Sequence, residues 1–408
     1  MQTYEKFYLV IIAIYAISCS TDNQSTDILP SIDVRKNYPE KEIILTDIAH
    51  VSYVHLSAKN ENYLYKGKIS YVTENTIVVG DNSSGSILFF SKDGSPKSRF
   101  NRYGAGPEEY STRMFNSIIF DETADDVYLL SFGMGLNFIL VYSSTGEFRR
   151  KINIQQEAAV YKIYSFDEQS LLVYDSKRVF QRTMKSRFKE NSSFEPIPQS
   201  IDSSFFIISK TDGNVMNYVI MPNNDMDLSY IETNSGAFTI PVYNRVARSE
   251  EGFYLCNHET DTVFLYKKDR SLTPVLCQVP LVSDLSPMII LDNCADAGKY
   301  QFMAVRTLVR GERLNESPKK YLLRDKETGK VFSQKIIIPE YKGKKIFISA
   351  EDIYFNGKET QAHFELNLFD LKQAYDENRL GGKLKELVAT LDEYEDNNVF
   401  MFVSFKQN

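Results

Sequence analysis

Short apolar runs, separated by tight polar turns, follow one another from residue 43 to residue 345. The clearest of them are 87–90, 138–142, 171–174, 263–266 and 321–323. Within each run the apolar residues are continuous and do not alternate with polar ones, which is typical of β-strands covered on both faces. Helical periodicity is scarce in the same region. The body of the chain is therefore predicted to be all-β.

Several runs end in an aromatic residue and a polar turn that closes on glycine, which supplies the positive φ of a short hairpin. Taking Gly94, Gly146, Gly236 and Gly329 as such corners, the intervals are 52, 90 and 93 residues, close to one, two and two units of about 46 residues. Six such units fit between residues 60 and 345. A closed ring of sheets leaves no edge strand exposed, so we predict a six-bladed β-propeller of four-stranded antiparallel blades.

Ring closure requires a strand from one terminus beside strands from the other. The runs 43–45 and 51–56 near the N terminus and 399–405 near the C terminus are the candidates. Ahead of the last run, apolar residues recur at the spacing of one helix face. They are Leu384, Leu387, Val388 and Leu391. The sequence thus predicts a short C-terminal helix, packed on the body, before a closing strand.

The N terminus has the pattern of a secretory signal. An apolar run, 7–17, follows Lys6 and precedes Ser18 and Cys19. Its eleven residues are too few to cross a hydrocarbon core of about 30 Å but fit the apolar region of a signal peptide. The small residue before the cysteine resembles the lipobox of bacterial lipoproteins, which implies acylation of Cys19. The alternative is an ordinary signal peptide with an incidental cysteine.

These patterns predict three segments. Residues 1–18 are a lipoprotein signal peptide, residues 19–40 are the lipidated Cys19 with a flexible tether, and residues 41–408 are the propeller. More than one acyl chain on the cysteine gives stable anchoring, so the membrane is a predicted partner. The expected location is the bacterial outer membrane, with the periplasmic or the cell-surface side left open.

Composition excludes several classes of protein. The chain is 43% hydrophobic, which is enough to bury a large core and excludes a disordered chain. A net charge of −7 gives no basic field for a nucleic acid, although the run 177–189 carries six basic residues that either hold an acidic ligand or protect a blade edge. Trp is absent, which disfavours a sugar-stacking platform, while 27 Phe and 26 Tyr suit packing between blades.

Metal and hydrolase motifs are missing as well. The four His and four Cys form no Cys-x-x-Cys, His-x-x-x-His or His-Glu-x-x-His pattern, and Gly-x-Ser-x-Gly is absent. We therefore predict no cofactor and no metal. Beyond Cys19, Cys256 and Cys277 are expected to be buried thiols, and at most one disulfide can form among Cys256, Cys277 and Cys294.

The sequence resembles the six-bladed β-propeller lipoproteins of gut Bacteroidetes, which are similar in architecture to NHL-type propellers. The resemblance is carried by Cys19, by 43–48, by 102–110 and by the ending 384–399, and it spans nearly the whole mature chain. The family pattern has a glycine where this chain has Glu108. The resemblance implies the fold and an envelope location, and it implies no catalytic residue.

The most distinctive loop is 102–110, where two glycines allow close approach of a ligand to the backbone. The candidate binding residues are Arg102, Gly104, Gly106, Glu108, Glu109, Tyr110 and, on a separate hairpin with two carboxylates, His258. The structural alternatives are a crossover between the first two blades for the loop and a solvated turn for His258.

Two functions from different classes remain open. The first is a non-catalytic binding or scaffolding module for a glycan, a peptide or an envelope protein. The second is an envelope hydrolase, lactonase or lyase with a channel-centred, metal-assisted site. Three or four Asp, Glu, Asn or His side chains meeting on the axis would favour the enzyme, and a channel of Ser, Thr and apolar groups would exclude it.

Overall fold

The computed structural model describes residues 29–58, 62–111, 115, 117–133, 136–154, 160–175, 204–222, 231–232, 238–239, 246–256, 261–307 and 318–407. Its strands form six sheets of four to six strands that follow one another along the chain, and one separate two-stranded sheet. The first strands of the blades lie against one another at the centre, so the sheets are arranged radially. The predicted six-bladed β-propeller is confirmed. Within the described ranges, no helix has the length and apolar character needed to span a membrane.

The chain enters the fold through three strands and one helical turn. They are β1 (Ser31–Asp33), β2 (Glu40–Ile44), α1 (Leu45–Ile48) and β3 (Ala49–His55). These elements do not form a blade of their own. Each of the three strands completes a sheet whose other strands come from the second half of the chain.

Blades 1 to 3 each use four consecutive antiparallel strands. Blade 1 is β4 (Gly67–Val72), β5 (Thr76–Asp81), β6 (Ile87–Ser91) and β7 (Pro96–Phe100). Blade 2 is β8 (Ile118–Asp121), β9 (Asp126–Gly133), β10 (Leu136–Tyr142) and β11 (Phe148–Asn153). Blade 3 is β12 (Val160–Ser165), β13 (Ser170–Asp175), β14 (Phe205–Ser209) and β15 (Val215–Val219). A separate pair, β16 (Ile231–Glu232) and β17 (Phe238–Thr239), follows blade 3.

Blades 4 to 6 are completed by the N-terminal strands. Blade 4 is β18 (Val246–Arg248), β19 (Gly252–Cys256), β20 (Thr262–Lys267) and β21 (Leu272–Val279), followed by a 3-10 turn (Val282–Asp284). Blade 5 is β22 (Ile289–Ala297), β23 (Tyr300–Thr307), β24 (Lys319–Asp325) and β25 (Val331–Ile337), with β26 (Lys345–Ile346) paired to β25. Blade 6 is β27 (Ile353–Phe355), β28 (Thr360–Leu366) and β29 (Val399–Phe405), with β3 as its fourth strand.

The ring closes between β3 and β29, which pair antiparallel from His55 opposite Val399 to Ala49 opposite Phe405. The predicted partners 51–56 and 399–405 are thereby confirmed. The run 43–45 behaves differently, because β2 pairs parallel with β25 of blade 5 and not with the terminal strand.

The predicted tether 19–40 is too long at its C-terminal end. β1 pairs parallel with β21, with Ser31 opposite Cys277, so residues 31–33 belong to the edge of blade 4. The segment is short, but Ile32 and Val34 alternate with polar residues and are buried, a strand pattern that the sequence analysis did not use. It forms a strand because the unpaired backbone groups of an outer strand accept any extended segment beside them.

Burial follows the expectation for strands covered on both faces. β5 and β13 are buried at every residue. Aromatic rings fill the spaces between blades. Phe89 of blade 1 meets Phe120 of blade 2 edge-on at 5.2 Å between ring centroids, and Phe166 of blade 3 stacks on Phe253 of blade 4 at 6.0 Å. The abundance of Phe and Tyr is thus explained by packing.

Three of the four predicted corner glycines have the positive φ that the turn requires. Gly94, Gly146 and Gly329 have φ of 86°, 85° and 68°, and each joins the third and fourth strands of its blade. Gly236 lies outside the described residues.

The repeat spacing was nevertheless wrong in the middle of the chain. Blade 3 turns at Gly213 (φ 75°) and blade 4 at Arg270 (φ 70°), so successive corners are 52, 67, 57 and 59 residues apart. Blade 3 has 29 residues between the end of β13 and the start of β14, and this lengthens its unit. Five blades, not six, lie between residues 60 and 345, and the sixth follows.

Two helices lie between β28 and β29. The predicted one is confirmed as α3 (Gly382–Ala389), in which Leu384 and Val388 are buried. The other, α2 (Leu368–Asp376), begins after Asn367, whose side chain accepts a hydrogen bond from the backbone of Asp370. Its buried residues Leu368, Leu371 and Ala374 have helical spacing that the sequence analysis did not use.

Candidate functional site

The alternation of strands gives the ring two faces. The hairpins between strands 1 and 2 and between strands 3 and 4 of each blade form one, here called the hairpin face. The connections between strands 2 and 3 and between successive blades form the other, the crossover face. The first strands β4, β8, β12, β18, β22 and β27 border the central channel.

The predicted binding loop 102–110 joins blade 1 to blade 2. Tyr110 is fully buried, and its hydroxyl donates to the Gly85 carbonyl at 2.7 Å and accepts from the Arg102 amide at 2.9 Å. Its ring meets Tyr142 of blade 2 edge-on at 6.1 Å. Burial raises the pKa of Tyr110 to about 12, so the hydroxyl stays protonated and keeps both bonds.

Several other groups of this loop make contacts within the protein. The Arg102 Nε donates to the Gly146 carbonyl at 2.9 Å, and the Gly106 amide donates to Glu109 Oε2 at 2.8 Å. A Cβ on Gly104 would lie 2.0 Å from the same carboxylate oxygen. The Glu108 carbonyl accepts from the Tyr142 hydroxyl at 2.7 Å. These are the contacts of an interblade connection, the structural alternative, and ligand binding by this loop stays a prediction.

Several other predicted features fall outside the described residues. They are Cys19, His258 and the basic run 177–189. Of the two cysteines expected to be buried, Cys256 is buried and Cys277 is only half-buried; Cys294 is buried as well, and no disulfide joins the three. Burial raises the pKa of the Cys294 thiol well above its ordinary value, which makes it a poor nucleophile.

A hydrogen bond crosses the middle of the ring near the hairpin face. Arg248, the last residue of β18, donates from Nη1 to the Tyr71 hydroxyl on β4 at 2.9 Å. Blades 4 and 1 are opposite one another in a six-membered ring. This pair therefore braces the channel, and the part of the channel on its crossover side is here called the upper channel.

Basic side chains enter the upper channel from two blades. Lys68 is exposed on β4, and Lys162 is half-buried on β12 with its Nζ 5.3 Å from the centroid of the Tyr164 ring. Burial lowers the pKa of Lys162, and the charge of Lys68 lowers it further, while Glu351 raises it. Lys68 and Lys162 lie on the inner strands of blades 1 and 3, and Glu351 lies in the segment before β27.

Carboxylates enter from the opposite side, each with its own partner. Asp292 Oδ2 lies 3.2 Å from Arg306 Nη2, and Glu351 Oε1 accepts from Lys319 Nζ at 2.8 Å. Burial raises the pKa of Asp292, although Arg306 opposes the shift. Its second oxygen, Oδ1, is buried without a hydrogen-bond partner among the described residues.

Asp352 is a further carboxylate beside the upper channel. Its Oδ2 accepts from the Ser349 amide and hydroxyl, both at 2.8 Å, and burial raises its pKa. Among the described residues, no group of three or more His, Cys, Asp or Glu side chains is placed to hold a metal ion. The described lining of the channel also contains charged residues, so it is not the lining of Ser, Thr and apolar groups that would exclude an enzyme.

A second concavity, of about 350 Å³, lies on the hairpin face between blades 4, 5 and 6. Its wall includes Tyr254, Asp296 and Lys326. Lys326 Nζ lies 3.4 Å from Asp296 Oδ2, and Gln301 donates to Asp296 Oδ1 at 3.0 Å. The charged groups at its centre are thus already satisfied by one another.

The sequence analysis missed the channel residues because they come from distant positions. Asp292 gave the clearest overlooked signal, since Asp292 and Asn293 interrupt an otherwise apolar run. The structure shows why they are tolerated there: the register of β22 against β23 shifts between Leu291 and Cys294. Such an irregularity redirects a side chain away from the blade interface.

The comparisons agree with the architecture. No curated protein matches the chain by sequence. A protein of Bacteroides fragilis NCTC 9343, described as an inferred exported protein, shares the fold with a TM-score of 0.57 at 14% identity. The match covers 93% of this chain and 99% of that chain. A member of the duf4221 family from Bacteroides vulgatus ATCC 8482 gives a TM-score of 0.45 at 10% identity, over 88% of this chain and 97% of that chain.

The family is given by sequence. Residues 20–234 match the model of DUF5128, which is described as a 6-bladed beta-propeller. This match covers more than half of the chain, and its description agrees with the six sheets of the structure. The chain therefore belongs to the DUF5128 family of six-bladed β-propellers.

Proposed function

We propose that the protein is an exported envelope propeller, held at the outer membrane through lipidated Cys19, that binds its ligand without chemical conversion. The signal-like run 7–17 supports export, as does the description of the Bacteroides fragilis protein that shares its fold. The family match begins at residue 20, directly after Cys19. Cleavage that leaves Cys19 as the first residue of the mature chain agrees with the signal-like run and with the start of the family match.

One observation carries the binding role. In the upper channel the carboxylates Asp292 and Glu351 are held in ion pairs, while Lys68 and Lys162 lie within 4.0 Å of no carboxylate of the described residues. The groups left available to a ligand are therefore two ammonium groups and the Asp292 Oδ1 oxygen, which can hold a polar ligand through charge-assisted hydrogen bonds.

Anchoring is tested by fractionation. Replacing Cys19 by Ala should move the protein from the membrane fraction to the soluble envelope fraction, because the only proposed acylation site is lost. Ser18→Phe, which disrupts the residue before the cysteine, should block processing instead. Unchanged fractionation of the Cys19→Ala protein would refute acylation at this residue.

Binding without conversion is tested on the soluble fragment 27–408. We expect it to bind selected ligands on an array of glycans and peptides of the cell envelope, and we expect mass spectrometry to recover each bound ligand with its mass unchanged. A ligand recovered as cleaved or rearranged product would contradict the non-catalytic role.

A second candidate function rests on Asp292. A buried carboxyl with a raised pKa and a partnerless oxygen has the properties of a general acid, which an envelope hydrolase, lactonase or lyase needs. If product appears in the previous experiment, Asp292→Asn should abolish it while leaving ligand binding in place.

A further inference from the structure

We propose that the concavity on the hairpin face between blades 4, 5 and 6 binds a neutral sugar of one or two rings through hydrogen bonds. The inference rests on the proposed binding function and names the chemical class of one ligand for it. The site is separate from the upper channel.

The first argument is the size and the firm wall of the concavity. Its volume of about 350 Å³ lies at the lower end of the range of about 300 to 1,000 Å³ for small-ligand pockets. Its wall consists of hairpins of blades 4 and 5, the start of β28 and the C-terminal segment after β29. Lys406 fixes that segment, because its amide donates to the Ile48 carbonyl at 3.0 Å and its Nζ to the Thr46 carbonyl at 2.8 Å. A wall formed in advance reduces the entropy lost on binding.

The second argument is that most charges of the wall are paired before a ligand arrives. The charged residues lining the concavity are three acidic and two basic ones: Glu250, Glu251, Asp296, Lys326 and Lys406. Lys326 Nζ lies 3.4 Å from Asp296 Oδ2, and Lys406 Nζ donates to two backbone carbonyls. Glu251 Oε2 lies 3.3 Å from the ammonium group of Lys267.

This pairing disfavours a charged ligand. An anion meets no free cation among the described residues of the wall. An ammonium group meets only the solvent-exposed carboxylate of Glu250, and an exposed ion pair contributes little to affinity. The concavity therefore suits a neutral, polar ligand.

The third argument is the set of polar groups that the wall leaves open. Three lining residues, Glu250, Thr360 and Gln407, have side chains without a hydrogen bond or ion pair to the described residues. They come from blade 4, blade 6 and the C-terminal segment, so they border the space from different sides. The carboxylate accepts hydrogen bonds, while the hydroxyl and the amide both donate and accept them. The neighbouring hydroxyl groups of a sugar ring match this set.

The aromatic residues of the wall contribute less. Tyr254 and Phe405 line the space, but both are buried, with 6% and 5% of their surface exposed. They can provide a small apolar floor for the C–H groups of a sugar and no open ring face for stacking. Recognition by hydrogen bonds is thus compatible with a chain that lacks Trp.

The test titrates the full mature chain with glucose, galactose, mannose and N-acetylglucosamine, and with glucosamine and glucuronate as charged counterparts, in ligand-detected nuclear magnetic resonance. At least one neutral sugar should bind more tightly than both charged ones, and added salt should leave its affinity unchanged. Glu250→Gln should weaken that binding about tenfold, because a charge-assisted hydrogen bond is lost. Glu168→Gln, at an exposed position of the corresponding hairpin of blade 3, should not change it.

Tryptophan fluorescence locates the bound sugar, because the natural chain has no Trp. Glu251→Trp places one on the wall of the concavity, and Glu168→Trp places one on the hairpin of blade 3. The sugar should change the emission of the first variant, or lose its binding to that variant, and should leave the second unaffected in both respects. Sugar binding that leaves the emission of Glu251→Trp unchanged would overturn this location.

The outcomes separate the sugar site from the binding function as a whole. No binding of any of the four neutral sugars, tighter binding of glucosamine or glucuronate, or unreduced affinity of Glu250→Gln would overturn the sugar site. If the Glu250→Gln chain retains every array ligand of the wild-type chain, the binding function stands without this site.

Discussion

A buried polar residue at a junction between two blades makes the stability of this fold depend on pH. His363 on β28 lies among aromatic rings at the junction where blade 6 meets blade 1, with centroid distances of 5.4 Å to Tyr354 and 5.9 Å to Phe402. Burial and, to a smaller extent, repulsion from Lys92 together lower the pKa of His363 to about 4. The imidazole is therefore neutral in the folded protein near neutral pH.

This residue predicts acid sensitivity with a definite sign. The unfolded chain takes up the proton below about pH 6.5 and the folded protein only below about pH 4, so stability is lost as the pH falls between these values, by about 3 kcal/mol at most. Urea unfolding at several pH values should show this loss in the wild-type chain and a smaller one in His363→Phe. His50→Phe, at an exposed position of β3, should keep the wild-type profile. Parallel profiles for the wild-type chain and His363→Phe would contradict the assignment.

Within the blade, the hairpin between the third and fourth strands is also the contact to the preceding blade. A Cβ on Gly146 would lie 2.4 Å from Phe100 Cβ of blade 1, and one on Gly94 would lie 2.0 Å from the His55 carbonyl of blade 6. Gly213 stands in the same relation to Asn153 of blade 2. The glycine thus allows both the turn conformation and the close packing of the hairpin against the preceding blade.

The two contributions can be separated by substitution. Gly329 has the same kind of positive φ, 68°, but nothing within 4 Å of its Cβ position. Gly329→Ala should cost about 1 kcal/mol through backbone strain alone. Gly146→Ala should cost about 1 to 3 kcal/mol more, because Phe100 must move. Equal losses in the free energy of unfolding for the two variants would show that the interface between blades 1 and 2 accommodates the added methyl group without cost.

At the scale of the whole molecule, stability depends on a strand from the N terminus. β3 gives blade 6 its fourth strand and brings the N-terminal region against blade 1, where Leu56, Phe90 and Phe400 share one buried cluster. β1 and β2 only extend blades 4 and 5 at their outer edges. Closure and edge protection are therefore carried by different strands.

Truncation tests this division. A chain of residues 46–408 loses β1 and β2 and should still unfold cooperatively, at a lower urea midpoint. A chain of residues 57–408 also loses β3, which leaves β29 unpaired on one side, and should aggregate or lose its cooperative transition. Size-exclusion chromatography and urea unfolding measure both. A cooperative, monomeric 57–408 chain would show that closure by β3 is dispensable.

The number of blades was predictable because local signals repeat: continuous apolar runs give strands, and corner glycines such as Gly94 and Gly146 mark their hairpins. The predicted blade boundaries were wrong where the corner residue is not a glycine or where a blade is longer than the repeat. Arg270 adopts the corner conformation without glycine, and the length of blade 3 between β13 and β14 displaced the count. The strand β1 is too short for its alternation to stand out in the sequence, and it exists through pairing with β21.

By itself, the sequence determined the all-β class, the six-fold repetition, the closing partners of the ring and the secretory pattern at the N terminus, since each is written in neighbouring residues. Only the tertiary structure decided that the loop 102–110 makes contacts with blade 2, and that Arg248 and Tyr71 meet across the ring. The physical reason is that a radial fold places residues from distant blades together at its axis, while the sequence carries only the periodicity of each blade.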